Sequence, residues 1–84
     1  MKPEYEPRST NQRLAYLIEE CGEVLAAAGK SLRWGLDSTN PELKPGDAFY
    51  METNEEWLLR EIGDLEGAIE RLKAARAARE AGKA

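Results

Sequence analysis

Apolar residues recur every three or four positions over two stretches of this chain, which are long enough to fold as helices and too few to close a core alone. In the first, Leu14, Leu17, Ile18, Cys21, Val24, Leu25, Ala28 and Leu32 share one helical face. In the second, Trp57, Leu58, Ile62, Leu65, Ile69 and Leu72 do the same. Ser9 with Gln12, and Thr53 with Glu56, are capping-box pairs ahead of the two runs, and Gly35 stops the first. The expected elements are an extended arm over 1–8, a helix over 9–34, a loop over 35–52, a second helix over 53–79 and a tail over 80–84. Together they make one domain. A helix of about 25 residues is close to 38 Å long, and two such rods leave most of each stripe wet. The physical expectation is an all-α helical hairpin that oligomerises, as a dimer or tetramer, into a four-helix bundle.

The composition narrows the chemistry. Ala, Leu, Glu, Arg and Lys dominate, as an all-α chain requires. The net charge of −4 argues against non-specific nucleic-acid binding. No apolar run is long enough to cross a membrane, and the residues after Met1 do not read as a signal peptide. The single Cys fits a reducing compartment, so a cytoplasmic protein is expected. With no His in the chain, any metal must accept oxygen ligands, which means Mg²⁺, Mn²⁺ or Ca²⁺.

Glu19-Glu20-Cys21-Gly22-Glu23 has a near-copy in Arg60-Glu61-Ile62-Gly63-Asp64. Each copy sets two carboxylates three residues apart, with Gly before the second. On a helix such residues share a face, and at an effective dielectric near 20 the repulsion costs about 3 kcal/mol per pair. At about 100° per residue, Glu20 borders the apolar stripe, Glu23 lies just outside it and Glu19 further round; Glu61 and Asp64 repeat this layout. Two packed helices can therefore carry all four carboxylates to one edge, where a divalent cation offsets the repulsion. Gly22 and Gly63 each cost a helix about 1 kcal/mol against Ala, which suggests close approach by a crossing helix or a ligand. Di-iron bundles use Glu-x-x-His, and an EF-hand needs its ligands on a loop; neither fits.

Leu17 to Val24, followed by Glu61 to Leu65, resembles the Glu-Glu-x-x-Glu … Glu-x-x-Asp signature of the MazG-like nucleotide pyrophosphohydrolases. The resemblance spans residues 11 to about 72. It implies the all-α NTP pyrophosphatase fold and hydrolysis of a (deoxy)nucleoside triphosphate to monophosphate and pyrophosphate, with two or three Mg²⁺ or Mn²⁺ ions per site. Carried over by position, Glu20, Glu23, Glu61 and Asp64 would be metal ligands, and Glu19 would orient or deprotonate the attacking water. The stretch Lys30 to Ser38 and the short length look most like compact phage-encoded members, which favours a purine deoxynucleotide, dGTP, and the host cytoplasm. The alternatives are a pyrimidine (dCTP or dUTP) or damaged-nucleotide diphosphatase. From another class, a non-catalytic helical dimer could serve as a protein-interaction module. Larger family members add helices in the same chain. Here a loop with two Pro separates Glu23 from Glu61, so a second subunit is expected to complete the site.

Lys30, Arg33 and Lys44 are candidates to meet phosphates. Trp34, Asn11 and Asn40 are candidates to meet the base. Trp57 lies near the acidic edge, where it either packs on a partner helix or flanks the site. Arg60 reads as an ion-pair partner of Glu61. Cys21, at the centre of the stripe, is expected to be buried.

Overall fold

Both helices begin where side chains satisfy the free amides of a first turn. Ser9 Oγ accepts the Gln12 amide at 3.0 Å, and Gln12 Oε1 accepts the amides of Arg8 and Ser9 at 2.9 and 3.1 Å. Thr53 Oγ1 accepts the Glu56 amide at 3.1 Å, and Glu56 Oε1 accepts the Thr53 amide at 3.1 Å. Each such cap contributes about 1 kcal/mol. The computed structural model describes residues 7–82 and is all-α: helix α1 is Thr10–Trp34 and helix α2 is Asn54–Gly82, packed as a hairpin. Apart from Pro7 and Arg8, the expected arm lies outside the described residues, as do residues 83 and 84. Helix α2 runs three residues past the expected Arg79, because Glu80 and Ala81 favour helix.

Gly35 ends α1 at φ +101°, a conformation that only Gly adopts cheaply, and its amide still reaches Ser31 O at 2.9 Å. The loop then folds back onto the start of α2. Buried Asn54 donates from Nδ2 to Gly35 O at 2.9 Å and from its amide to Ser38 O at 2.8 Å. The Glu55 amide reaches Leu36 O at 3.0 Å, and Thr39 and Thr53 form an isolated antiparallel bridge. The two helix ends are thereby tied together. Within the loop, Asn40 to Leu43 close a turn, with the Leu43 amide on Asn40 O at 3.3 Å. Phe49 and Met51 both sit at positive φ, 62° and 68°, which costs a bulky residue on the order of 1–2 kcal/mol each.

The core is thin. Among the described residues the buried apolar ones are Pro7, Ala27 and Ala68, and no large side chain is fully enclosed. Ile18, Leu25 and Leu32 are 71%, 72% and 90% exposed. The radius of gyration, 16.1 Å, exceeds the roughly 12 Å of a compact domain of this length. The reason is geometric. Helix α1 meets α2 through the face that carries Glu20 and Ala27, so one neighbour covers only one edge of a wide stripe. Cys21, expected to be buried, is exposed for the same reason. Measured from buried Glu20 and Glu61, the two apolar stripes turn in the same sense. In an antiparallel pair that puts both on one side of the hairpin, with Glu23 and Asp64 on the other.

Candidate metal centre

Glu20 on α1 and Glu61 on α2 sit where the helices touch, 5% and 4% exposed. The Oε2 atom of each is enclosed and has no hydrogen-bond partner among the described residues. Asp64, almost one turn on from Glu61 and itself exposed, supplies a third carboxylate. One oxygen from each of the three lies within 4.8 Å of the others. At that spacing each pair repels by about 3 kcal/mol at an effective dielectric near 20. An unpartnered buried oxygen adds a desolvation cost of about 1–3 kcal/mol. Such a group is able to hold a cation, and its all-oxygen donor set suits a hard divalent ion.

The other oxygen of Glu61 is fixed. Trp57 Nε1 donates to Oε1 at 3.2 Å and Arg60 Nη1 at 3.1 Å. Arg60 is in turn held by Glu52, with Nε and Nη2 each at 3.1 Å from a carboxylate oxygen, and its guanidinium lies 3.7 Å from the Phe49 ring centroid. This fork orients Glu61 from the loop side and gives Phe49 a partner that offsets its backbone strain.

The acidity of the cluster follows from its crowding. Glu20 is held above the usual carboxylate range by burial first, then by the charges of Asp64 and Glu61; the nearby Tyr16 hydroxyl offsets part of this. Glu23 is pushed up to about 7, chiefly because its protonated form can hydrogen-bond Glu61, then by burial and by the charges of Glu61, Glu20 and Glu19. Glu19 itself is exposed, further round α1. Near neutral pH the cluster thus retains protons that a bound cation would displace.

The sign of the pH effect follows. Folded-state pKa values raised above the ordinary 4.5 contribute stability that is fully present below that value and is lost as pH rises through about 7. The melting temperature in EDTA is therefore expected to fall between pH 5 and pH 8, and Mg²⁺ should restore it most at pH 8. A melting temperature that climbs over that interval would mean that the carboxylates are solvated one by one.

Beyond Trp57, where the loop meets both helices, lies a cavity of about 450 Å³. Lys30, Arg33, Trp34 and Asn40 line it together, with Trp57 forming the wall on the Glu61 side. The Lys30 Nζ lies 5.9 Å from the centroid of the Trp57 ring. Lys44 is not among the lining residues; its amide donates to Asp47 Oδ2 at 2.8 Å. Asn11 stands at the far end of α1, about 35 Å along the helix from Trp34. Neither of the matched glycines is explained within the hairpin, since a Cβ on Gly22 or Gly63 would meet no atom within 4 Å. Glu52 and Asn54 were invisible to periodicity, because each acts across the loop rather than along a helix. Set against models of known protein families, curated proteins and solved structures, the chain matches none of them.

Proposed function

We propose that the chain is a Mg²⁺- or Mn²⁺-dependent hydrolase of (deoxy)nucleoside triphosphates, releasing pyrophosphate and a nucleoside monophosphate, in the manner of the MazG-like enzymes whose acidic signature it resembles. The observation that carries this reading is the crowding of Glu20 and Glu61, both buried, with Asp64, one oxygen of each lying within 4.8 Å of the others. A hairpin with so thin a core would not keep that arrangement for stability; a ligand offsets it. Bound at these carboxylates, the ions supply neutralisation of the triphosphate, a lower pKa for coordinated water and stabilisation of the departing pyrophosphate. Glu23, beside Glu61, adds a fourth carboxylate to the set. Arg60 and Trp57 keep Glu61 in one orientation. Glu19, exposed on the same helix, takes the proton as water adds across the anhydride between the α- and β-phosphates. Lys30 and Arg33 meet phosphate charge on the cavity side.

The exposed stripe of Ile18, Leu25 and Leu32 supports a second element of the proposal, a homo-oligomer in which another copy covers this face. It leaves the acidic side open. The same stripe is what a non-catalytic interaction module would present, so activity decides between the two. With Mg²⁺ and each of the eight common nucleotides, pyrophosphate and monophosphate are expected in equal amounts from at least one of them. Release of orthophosphate, or of nothing, ends the proposal. Glu19→Gln is expected to lower kcat by about 100-fold or more while the Mg²⁺ midpoint stays in place. An unchanged kcat removes Glu19 from the chemistry.

A further inference from the structure

The likeness between the two acidic segments extends well beyond the carboxylates, from Tyr16 to Lys30 and from Trp57 to Arg71. At one constant offset Tyr16 pairs with Trp57, Glu20 with Glu61, Ala27 with Ala68 and Lys30 with Arg71. The folded hairpin obeys the same pairing. Glu20 and Ala27 are the buried residues of α1, and Glu61 and Ala68 are buried on α2. Lys30 reaches across from α1, its Nζ 5.9 Å from the centroid of the Trp57 ring on α2. Arg71 reaches back from α2, its guanidinium 5.6 Å from the centroid of the Tyr16 ring on α1. Exchanging the helices turns one contact into the other, so the hairpin carries an approximate twofold axis between Glu20 and Glu61.

We propose that Tyr16 is a positioning residue for Glu20, the counterpart of Trp57 on Glu61, and that Arg71 clasps it from the opposite helix. This rests on the reading of the acidic centre as a cation site. Side chains on a helix lean toward its N-terminus, so a residue reaches back over the one four positions earlier. Glu61 does so toward Trp57, whose Nε1 donates to Oε1 at 3.2 Å. Glu20 does so toward Tyr16. Burial, then the charges of Asp64 and Glu61, oppose the ionised form of Glu20, and the Tyr16 hydroxyl is the hydrogen-bond donor that favours it. A donor tied to one carboxylate oxygen leaves the other to face the acidic centre. The guanidinium over its ring keeps Tyr16 in place. Gly67, one turn before Arg71, makes room for that guanidinium, since a Cβ there would lie 3.5 Å from Arg71 Nη1.

The match breaks at one informative position. Arg60 precedes Glu61 and donates to it at 3.1 Å, whereas Glu19 precedes Glu20. Glu61 therefore has two donors, Trp57 and Arg60, and Glu20 has Tyr16 alone among the described residues. Loss of the hydroxyl should cost Glu20 more than loss of the indole N–H costs Glu61.

Tyr16→Phe removes the hydroxyl and keeps the ring. Mg²⁺ titrations of the full chain, followed by melting temperature, are expected to show its midpoint raised on the order of 10- to 100-fold, with helicity unchanged by circular dichroism. Trp57→Phe should raise the midpoint less. Arg71→Gln should weaken Mg²⁺ binding in the same direction, and Arg71→Lys should restore it. In EDTA, the Glu20 side-chain carboxyl ¹³C signal is expected to move in Tyr16→Phe. A midpoint that stays at the wild-type value, or a Glu20 signal that ignores the missing hydroxyl, overturns the proposal. A wild-type chain that Mg²⁺ does not stabilise, with the Glu20 signal still moved by Tyr16→Phe, removes the cation site and keeps Tyr16 as the residue that sets Glu20.

Discussion

Glu20→Gln is expected to raise the melting temperature of the metal-free protein and, in the same molecule, to abolish turnover and the stabilisation by Mg²⁺. Glu20 is buried, its Oε2 has no partner, and Glu61 and Asp64 stand within 4.8 Å. Removing its charge relieves repulsion of up to about 3 kcal/mol per close pair, and the new amide can donate to either neighbour. Allowing for the amide's own burial, a net gain of about 1–2 kcal/mol is reasonable, or roughly 4–8 °C per kcal/mol for a chain of this size. With metal the sign reverses. A wild-type site at 100 times its dissociation constant gains about 2.7 kcal/mol, and the variant gains little of that. Turnover should drop by more than about 100-fold, since even groups behind metal ligands cost 10- to 100-fold. Thermal melts in EDTA and in Mg²⁺, beside a pyrophosphate assay, read all three. A variant that melts below wild type in EDTA would show that Glu20 already has what it needs in the apo fold, and the metal centre would lose its main support.

The second large effect is expected at Leu25, on the opposite side of the hairpin and 72% exposed. Covering a Leu of this kind contributes about 1.5–3 kcal/mol, and in a symmetric dimer each substitution counts twice. In the proposed oligomer Leu25→Glu would add a carboxylate to a dry interface. Dissociation should strengthen by at least about 100-fold, equivalent to 2.7 kcal/mol or more. The isolated hairpin holds two buried alanines as its apolar core, so the dissociated chain is expected to lose helix as well. Sedimentation and far-UV circular dichroism over a range of concentrations test this. A Leu25→Glu chain that stays helical, with an unchanged melting temperature, would show a self-sufficient hairpin and assign the stripe to a different partner.

What could be read from the sequence was whatever repeats along a helix. Ser9 with Gln12 and Thr53 with Glu56 are local devices, and the first helix begins and ends where its caps say. Glu20, Glu61 and Asp64 border the apolar stripes as their helical positions indicate, but the register that brings them together is set by how the loop ties the two helix ends. Cys21 shows where periodicity stops being informative: it gives the face of a helix, not what covers that face. The Arg60 fork escaped for another reason. Its partner Glu52 belongs to a loop with no period, and its link to Phe49 depends on a left-handed backbone that Phe does not advertise. The cavity drew Lys30, Arg33, Trp34 and Asn40 together through the same loop, while Asn11 went to the far end of the rod.

For the cation proposed at the acidic residues, the two buried alanines would bear on which ion is preferred. Ala27 lies two turns from Glu20 toward the loop, and Ala68 two turns from Glu61 away from it, so they bracket the acidic residues on either side. Their methyl groups, small beside other apolar side chains, let the helices pack closely above and below the carboxylates. The spacing between Glu20 and Glu61 would thus be set by side chains outside the proposed cation's reach. Discrimination between a small, tightly hydrated cation and a larger one becomes a matter of helix spacing, open to adjustment through bulk at residues 27 and 68 with every oxygen donor left in place.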